Sequence, residues 1–151
     1  MTGSAAVTNR IVVGVDGSEN SALALKSAGT LATALGVPLD AVICWRRPER
    51  YYMAELPVGG FAERDSFVDD ARHLVDRAAE QVFGPELPRS FQIVVRYGHP
   101  PQVLVDESRT AGMLVLGRHG HRGFLGLSLG SVSDACATHA HCPVLIVSDH
   151  G

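Results

Sequence analysis

The sequence predicts an α/β fold with a single doubly wound, parallel sheet. Five short apolar runs alternate along the chain with four segments whose apolar residues recur at helical spacing. Strands that alternate with helices form parallel sheets with right-handed crossovers, and helices then cover both faces. The runs also lack the polar alternation of half-exposed strands, which favours burial on both sides. The predicted strands are Arg10–Asp16, Leu39–Trp45, Phe91–Tyr97, Met113–Leu116 and Pro143–Val147.

Capping and turn residues support this order. Ser18 is a good N-cap for the first helix, and Gly36 followed by Pro38 is typical of its end. Residues 46–60 contain two prolines and two glycines and are predicted to form a loop. Because its first seven residues include three arginines and two tyrosines, this loop is either a solvated connection or a flap that orders on a ligand. The predicted helices run from the Ser18 cap to Leu35 and over residues 63–83, 100–109 and 131–140.

Size and composition exclude several classes of protein. The 151 residues fit one domain, expected over residues 10–151 after a flexible tail at 1–9. No apolar run approaches the roughly 18 residues of a membrane span, and the tail lacks the apolar core of a secretory signal, so a cytoplasmic location is expected. A formal net charge of −3 without a basic block argues against nucleic-acid binding. The three cysteines are an odd number and are expected to be free thiols.

A glycine-rich loop before the last helix is the strongest functional signal. Gly117-Arg118-His119-Gly120 directly follows the fourth strand, and Gly130-Ser131 begins the helix. Backbone N–H groups at such a break, together with the positive end of the helix dipole, favour an anion, usually a phosphate. Basic side chains at positions 118, 119, 121 and 122 add hydrogen-bond donors suited to an anion. The alternative is a flexible glycine-rich turn without a ligand.

This loop differs from the two best-known phosphate motifs. The Gly-Lys-Ser/Thr of a Walker loop is absent, and no G-x-G-x-x-G follows the first strand. Asp16 ends that first strand, where a carboxylate can accept hydrogen bonds from ribose hydroxyls. Its alternative role is that of a turn residue that helps to cap the next helix. Ligands of doubly wound sheets bind beyond the carboxyl ends of the strands, so Asp16 and the glycine loop face one crevice if their strands are neighbours.

Four potential metal ligands lie close together near the end of the chain, at Cys136, His139, His141 and Cys142. Zinc ligands usually come as two separated pairs, whereas these four fall within seven residues. Positions in the core or at a helix terminus explain them better, so no metal site is predicted. No catalytic residue is assigned either, because acid–base catalysis needs a positioned partner.

Three ordered motifs resemble the universal stress protein family over residues 10–148. The spacing Gly117-x2-Gly120-x9-Gly130-Ser131 is similar to the ATP-binding signature of that family. Residues 11–18 resemble its first strand and turn, and residues 141–147 resemble its last strand. The resemblance implies a five-stranded sheet in the order 3-2-1-4-5 and ATP at the glycine loop. Whether Mg2+ accompanies the nucleotide stays open.

The resemblance also implies roles for individual residues. Asp16 would meet the ribose, and the backbone near Val42 would meet the adenine. The four signature residues would bind the phosphates, and the two residues that follow them would continue the phosphate nest. The full predicted binding set is Gly14, Val15, Asp16, Val42, Gly117, Arg118, His119, Gly120, Gly130, Ser131, Val132 and Ser133.

The fifth strand predicts a partner. Pro143–Val147 is apolar and lacks the charges that protect exposed sheet edges, yet the implied strand order puts it at an edge. Pairing with the same strand of a second copy across a two-fold axis would cover it. The resemblance implies the same homodimer, because dimers of the family commonly form through this strand.

These observations lead to one interpretation and two alternatives. The chain is interpreted as an ATP-binding sensor or regulator of the stress response, without efficient catalysis. Nucleotide would order the glycine loop and change a surface that other proteins recognise. The alternatives are a slow ATPase on the same fold and an interaction module that binds another nucleotide, such as cyclic AMP, or none.

Overall fold

A parallel five-stranded sheet forms the centre of the protein, with strand order β3-β2-β1-β4-β5. The computed structural model describes residues 8–45, 60–119 and 129–148, with side chains except at 60–65. All four strand pairs are parallel. The strands are β1 (Ile11–Gly14), β2 (Leu39–Trp45), β3 (Phe91–Tyr97), β4 (Met113–Gly117) and β5 (Val144–Val147). The helices within the described residues are α1 (Glu19–Leu35), α2 (Gly60–Phe83), α3 (Pro100–Ser108) and α4 (Ser131–His139).

The helices cover both faces of the sheet, so the core has two layers. Alternate residues of β1 point to opposite faces: Ile11 and Val13 pack with α1 and α2, whereas Val12 packs with α3 and α4. Leu104 of α3 and Cys136 of α4 are buried in the second layer. The predicted fold class and strand order are therefore confirmed.

The ends of α1 follow the local sequence. The Ser18 hydroxyl accepts a hydrogen bond from the backbone N–H of Ser21 at 3.1 Å, as an N-cap does. Gly36 adopts the left-handed conformation, with φ 67° and ψ 37°, and its N–H donates to carbonyls of the last helical turn. Both capping predictions are confirmed. The turn at Gly17 also requires a positive φ, of 85°, which a glycine adopts without strain.

Several element boundaries differ from the predicted ones. Helix α2 begins at Gly60, three residues before its predicted start at Glu63. Gly60 was the last residue of the predicted loop, so the loop and the helix overlap at that residue. Glycine is tolerated at a helix N-terminus, so it does not exclude a helix start. Residues 46–59 lie outside the described part of the chain, as do residues 1–7 of the predicted tail. Strand β1 stops at Gly14, two residues before Asp16, because the turn toward α1 begins there.

An ionic network links the segment before β1 with β2, β3 and α3. Arg10 donates to Asp40 at 2.8 Å and to Glu107 at 2.9 Å, while Arg96 donates to the other carboxylate oxygen of Glu107 at 2.8 Å. Burial alone would raise the pKa of the Glu107 carboxyl, but the hydrogen bonds from Arg96 and Arg10 outweigh it and hold that pKa below its usual range.

Among the described helices, none is long and apolar enough to cross a membrane.

Candidate functional site

A cavity of about 250 Å³ opens where the carboxyl ends of β1, β2 and β4 meet the N-terminal ends of α3 and α4. This is the edge of a doubly wound sheet at which ligands bind. Ten of the twelve residues in the predicted binding set line the cavity, although they come from four separate segments of the chain. Those ten are Gly14, Val15, Asp16, Val42, Gly117, His119, Gly130, Ser131, Val132 and Ser133.

Part of the cavity wall is apolar and is called the apolar slot below; it consists of Val42, Cys44, Pro100, Leu104 and Leu116. The slot lies between β2, β4 and the first turns of α3. Burial raises the pKa of the Cys44 thiol to about 12, so the thiol is neutral at physiological pH. A neutral thiol behaves as a small apolar group with weak hydrogen-bonding capacity. The slot is therefore suited to a largely apolar group rather than to an ion.

The N-terminus of α4 also lines the cavity. The N-cap is Gly130, with φ −65° and ψ 165°, and it has no side chain to cap the helix. The first-turn residues Ser131, Val132 and Ser133 line the cavity, so the positive end of the helix dipole lies at its wall. N–H groups at a helix start are the standard partners of bound anions.

Gly117 allows the end of β4 to approach the start of α1. A Cβ atom at this position would lie 2.7 Å from the backbone carbon and oxygen of Asn20, which is closer than real Cβ contacts. The hydroxyl of Ser133 donates to the Gly117 carbonyl at 2.5 Å, and the Gly130 N–H donates to the Arg118 carbonyl at 2.9 Å. These two bonds tie both ends of the glycine loop together, so the described ends of the loop have a defined geometry.

Asp16 is exposed and lines the cavity. It also acts as a turn residue before α1, which is the alternative role predicted from the sequence. Its Oδ1 accepts a hydrogen bond from the Ser18 N–H at 2.9 Å, which is a typical turn contact. Its backbone N–H donates to the hydroxyl of Ser21, another residue that lines the cavity, at 3.3 Å. The carboxylate is thus held in a fixed orientation at an exposed position on the cavity wall.

His119 contributes a buried nitrogen to the cavity. His119 follows β4 by two residues, and within the described ranges its buried Nδ1 atom has no hydrogen-bond partner. Most buried polar atoms in proteins have such a partner, so an orphaned one calls for an explanation.

Two residues of the predicted set are not among those that line the cavity. Arg118 extends the β4–β5 ladder, since its N–H donates to the Val147 carbonyl at 2.9 Å. Gly120 lies outside the described residues, together with His121 and Arg122. Five lining residues were missed by the sequence analysis: Ser21, Cys44, Pro100, Leu104 and Leu116. Cys44 follows Val42 by two residues on a strand and shares its face, and Leu104 follows Pro100 by four on a helix, so residue periodicity could have found both.

The residues considered as metal ligands do not form a cluster. Within the described ranges, no group of three or more His, Cys, Asp or Glu side chains is arranged to hold a metal ion. Cys136 is buried in the core, and burial raises the pKa of its thiol to about 11. His139 and His141 are exposed at the end of α4 and after it.

Comparison with known families identifies the chain. The universal stress protein family model matches residues 8–148. The chain belongs to this family. A universal stress protein of Mycobacterium tuberculosis is 36% identical over 138 residues, which are 90% of this chain and 44% of that protein. This chain thus spans less than half the length of that curated relative.

Solved structures of universal stress proteins share the fold. One was determined in complex with cAMP, with a TM-score of 0.60 and 25% identity, and the match covers 95% of this chain and 98% of that one. Another, from Archaeoglobus fulgidus, was determined in complex with dAMP, with a TM-score of 0.54, 22% identity and coverage of 93% and 98%. The likeness to the second is a likeness of fold.

Proposed function

We propose that this universal stress protein domain binds an adenine nucleotide, ATP, in the cavity at the carboxyl edge of the sheet. One observation carries the proposal: an apolar slot and an uncapped helix N-terminus line a single cavity. A nucleotide has the matching pair of ends, an apolar base and an anionic phosphate chain. Neither a bare anion nor an apolar ligand would use both walls.

The binding mode follows from the two walls. The base enters the apolar slot beside Val42, and the ribose lies toward the carboxylate of Asp16. The phosphates lie against the backbone of Gly117 and the first turn of α4, where N–H groups and the helix dipole stabilise negative charge. The family signature adds Gly120 as a further predicted phosphate contact. Gly14 and Val15 complete the wall beneath the sugar, and Arg118 and His119 add charge and donors near the phosphates.

A second candidate ligand is cyclic AMP. The relative solved with cAMP has 25% identity to this chain and nearly the same length, which favours an adenine nucleotide without selecting one. The two candidates differ in what the cavity must hold, since a triphosphate chain extends along the α4 N-terminus and a cyclic phosphate does not. Direct comparison of the two ligands therefore decides between them.

The proposed role is that of a nucleotide-dependent regulator in the stress response, not an efficient enzyme. The cavity wall offers backbone amides, a carboxylate and small side chains, which are groups suited to binding. Slow hydrolysis on the same site is the alternative, with or without Mg2+. The three cysteines are free, which supports a reducing, cytoplasmic setting for this role.

The proposed assembly is a homodimer through β5. This strand is the last in the sheet order, and Leu145 on it is 37% exposed. An apolar edge strand without charges is prone to pair with another strand, and a two-fold axis allows two copies to satisfy each other. In the dimer, nucleotide binding in one copy would affect the other copy through β5. The Arg118 N–H, which directly follows Gly117, donates to the Val147 carbonyl of that strand.

Thermal shift measurements test the nucleotide site. The wild-type chain should be stabilised by ATP, and a ligand at a hundred times its Kd adds about 2.7 kcal/mol. Ser131→Glu should remove most of this shift, because it places a carboxylate at the phosphate wall. The same substitution is favourable for the helix dipole, so the unliganded protein should remain folded.

The matched control is Ser131→Gln, which has the same size without the charge and should keep most of the ATP shift. A flat response of the wild type to ATP, ADP, AMP and cyclic AMP would overturn the proposal. Equal ATP binding by the Ser131→Glu and Ser131→Gln variants would mean that the phosphates do not lie against α4. Mass spectrometry of small molecules released from the purified protein identifies any nucleotide carried from the cell.

A further inference from the structure

The inference concerns the orphaned nitrogen of His119 and deepens the proposed function, on which it rests. His119 lines the cavity, and its Nδ1 atom is buried without a hydrogen-bond partner among the residues that the structure describes. A buried polar atom without a partner destabilises a folded protein, because it loses its hydrogen bonds to water without replacement. Such an atom calls for an explanation, and in a residue that lines a cavity a bound ligand can supply the missing bond.

The position of His119 indicates which ligand group supplies the bond. His119 shares the cavity with Gly117 and with the first turn of α4, at the wall where the helix dipole favours negative charge. The apolar slot is formed by other elements, β2, α3 and the Leu116 side chain of β4. A phosphate oxygen is an acceptor and requires Nδ1 to carry a proton, whereas a ribose hydroxyl could donate to an unprotonated Nδ1.

We infer that Nδ1 of His119 donates a hydrogen bond to a phosphate oxygen of the ligand, and that His119 makes the site selective for phosphorylated nucleosides over free nucleosides. The backbone amides of α4 attract an anion but recognise no particular geometry. His119 adds a directional donor to the same cavity. The unpaired Nδ1 atom destabilises the unliganded protein, and a bound phosphate removes this destabilisation.

Three substitutions at position 119 separate this role from a packing role. His119→Leu removes the nitrogen and keeps the bulk, His119→Asn keeps a donor near the position of Nδ1, and His119→Gln moves the donor to the position of Nε2. Calorimetry with ATP, cyclic AMP and adenosine gives the affinity of each variant. We expect the Leu variant to bind ATP at least tenfold more weakly and adenosine equally well. The Asn variant should retain ATP affinity within about threefold, and the Gln variant should not.

The melting temperature without ligand provides an independent readout. Because the Leu variant buries no unpaired nitrogen, it should melt at the same or a higher temperature than the wild type. A lower melting temperature of the unliganded Leu variant would mean that Nδ1 has a partner inside the folded protein, and would overturn the inference. Equal loss of ATP and adenosine affinity would show a packing role and would overturn it as well.

Nitrogen NMR of the imidazole ring observes the bond directly. ATP and cyclic AMP should move the Nδ1 resonance of His119 to the protonated range, and adenosine should not. If adenosine causes the same change, a sugar or base group is the partner and the inference is wrong. If ATP binds without changing Nδ1, the inference fails and the proposed function stands. If neither ATP nor cyclic AMP binds, both the inference and the proposed function are wrong.

Discussion

At the scale of single residues, the cavity depends on close approaches that only small side chains permit. A Cβ atom at Gly14 would lie 2.8 Å from Leu116 Cδ2, and one at Gly117 would collide with the backbone of Asn20. The first contact involves the flexible end of a side chain, whereas the second involves backbone that cannot move without shifting α1. Gly117 is therefore required by the fold as well as by any ligand that approaches its backbone.

Glu107 is a partly buried charge that contributes to stability. It accepts hydrogen bonds from Arg10 and Arg96, and its side chain is 13% exposed. We expect Glu107→Gln to lower the free energy of unfolding by about 1–3 kcal/mol at neutral pH, the usual range for a partly buried, charge-assisted bond. Chemical denaturation across a pH series measures this difference.

The pH dependence has a definite sign. Because the folded-state pKa of Glu107 is lowered, its contribution is complete above the unfolded pKa of about 4.3 and is lost as the pH falls through the folded value. The wild type should therefore lose its advantage over the Gln variant in acid. Asp106→Asn is the control, since its ion pair with Arg109 is exposed and 3.8 Å long and should change stability by less than about 0.5 kcal/mol. A wild-type advantage that is independent of pH would contradict the assignment.

Sequence reasoning found the residues whose role is local. Ser18 and Gly36 act within a few residues of their own positions, so composition and spacing were enough to predict both caps. The bond from Ser133 to Gly117 joins residues sixteen apart, and the bond from Arg10 to Glu107 joins residues ninety-seven apart. Serine and arginine side chains can make many kinds of contact, and only the folded structure shows which contact each of them makes. The orphaned Nδ1 of His119 is likewise invisible without coordinates.

At the scale of elements, hydrogen bonds connect the end of β4 with the start of α4, which are the two described ends of the glycine loop. The Ser133 hydroxyl donates to the Gly117 carbonyl, and Ser133 is 3% exposed. We expect Ser133→Ala to lower the free energy of unfolding by about 1–2 kcal/mol, because it leaves a carbonyl without its partner. ATP affinity should fall as well, since the first turn of α4 is then less firmly placed against β4.

Thr138→Ala on the same helix is the matched control for this substitution. Its hydroxyl also donates to a carbonyl, that of Asp134 at 2.9 Å, but Thr138 is exposed and the bond lies within one helix. Alanine is the better helix former, so the change in stability should stay within about 0.5 kcal/mol. Urea unfolding and ATP thermal shifts compare the two variants. Equal effects on both readouts would show that the bond from Ser133 has no special role.

The helices and strands themselves were predicted well, and their boundaries less well. Apolar runs and helical spacing identify the centre of an element, because burial requires them there. The two glycines at 59 and 60 predict a loop up to residue 60, whereas α2 already begins at Gly60. Glycine is common both in loops and at helix starts, so its presence alone does not fix the boundary. Within the helix, Phe67 stacks on Trp45 with ring centroids 5.9 Å apart.

At the scale of the whole molecule, topology brings the site together. The neighbours of β1 in the sheet are β2 and β4, so Asp16, Val42 and Gly117 meet although they are far apart in sequence. Alternation of strands and helices predicted a parallel sheet but not its order, which came from the resemblance to the family. The same order leaves β5 at an edge, so the site and the proposed dimer surface follow from one arrangement.

The exposed edge leads to the last prediction, which concerns assembly. If two copies pair through β5, Leu145→Lys puts two like charges close to each other across the two-fold axis and should convert the dimer to a monomer. Leu145 is 37% exposed, so the monomer should keep most of its stability. Leu87→Lys is the control, because Leu87 is 52% exposed but lies between α2 and β3, away from the β5 edge. Light scattering coupled to size-exclusion chromatography measures the mass of each variant. A wild type that is monomeric at all concentrations, or a Leu145→Lys variant that stays dimeric, would place the partner surface elsewhere than β5.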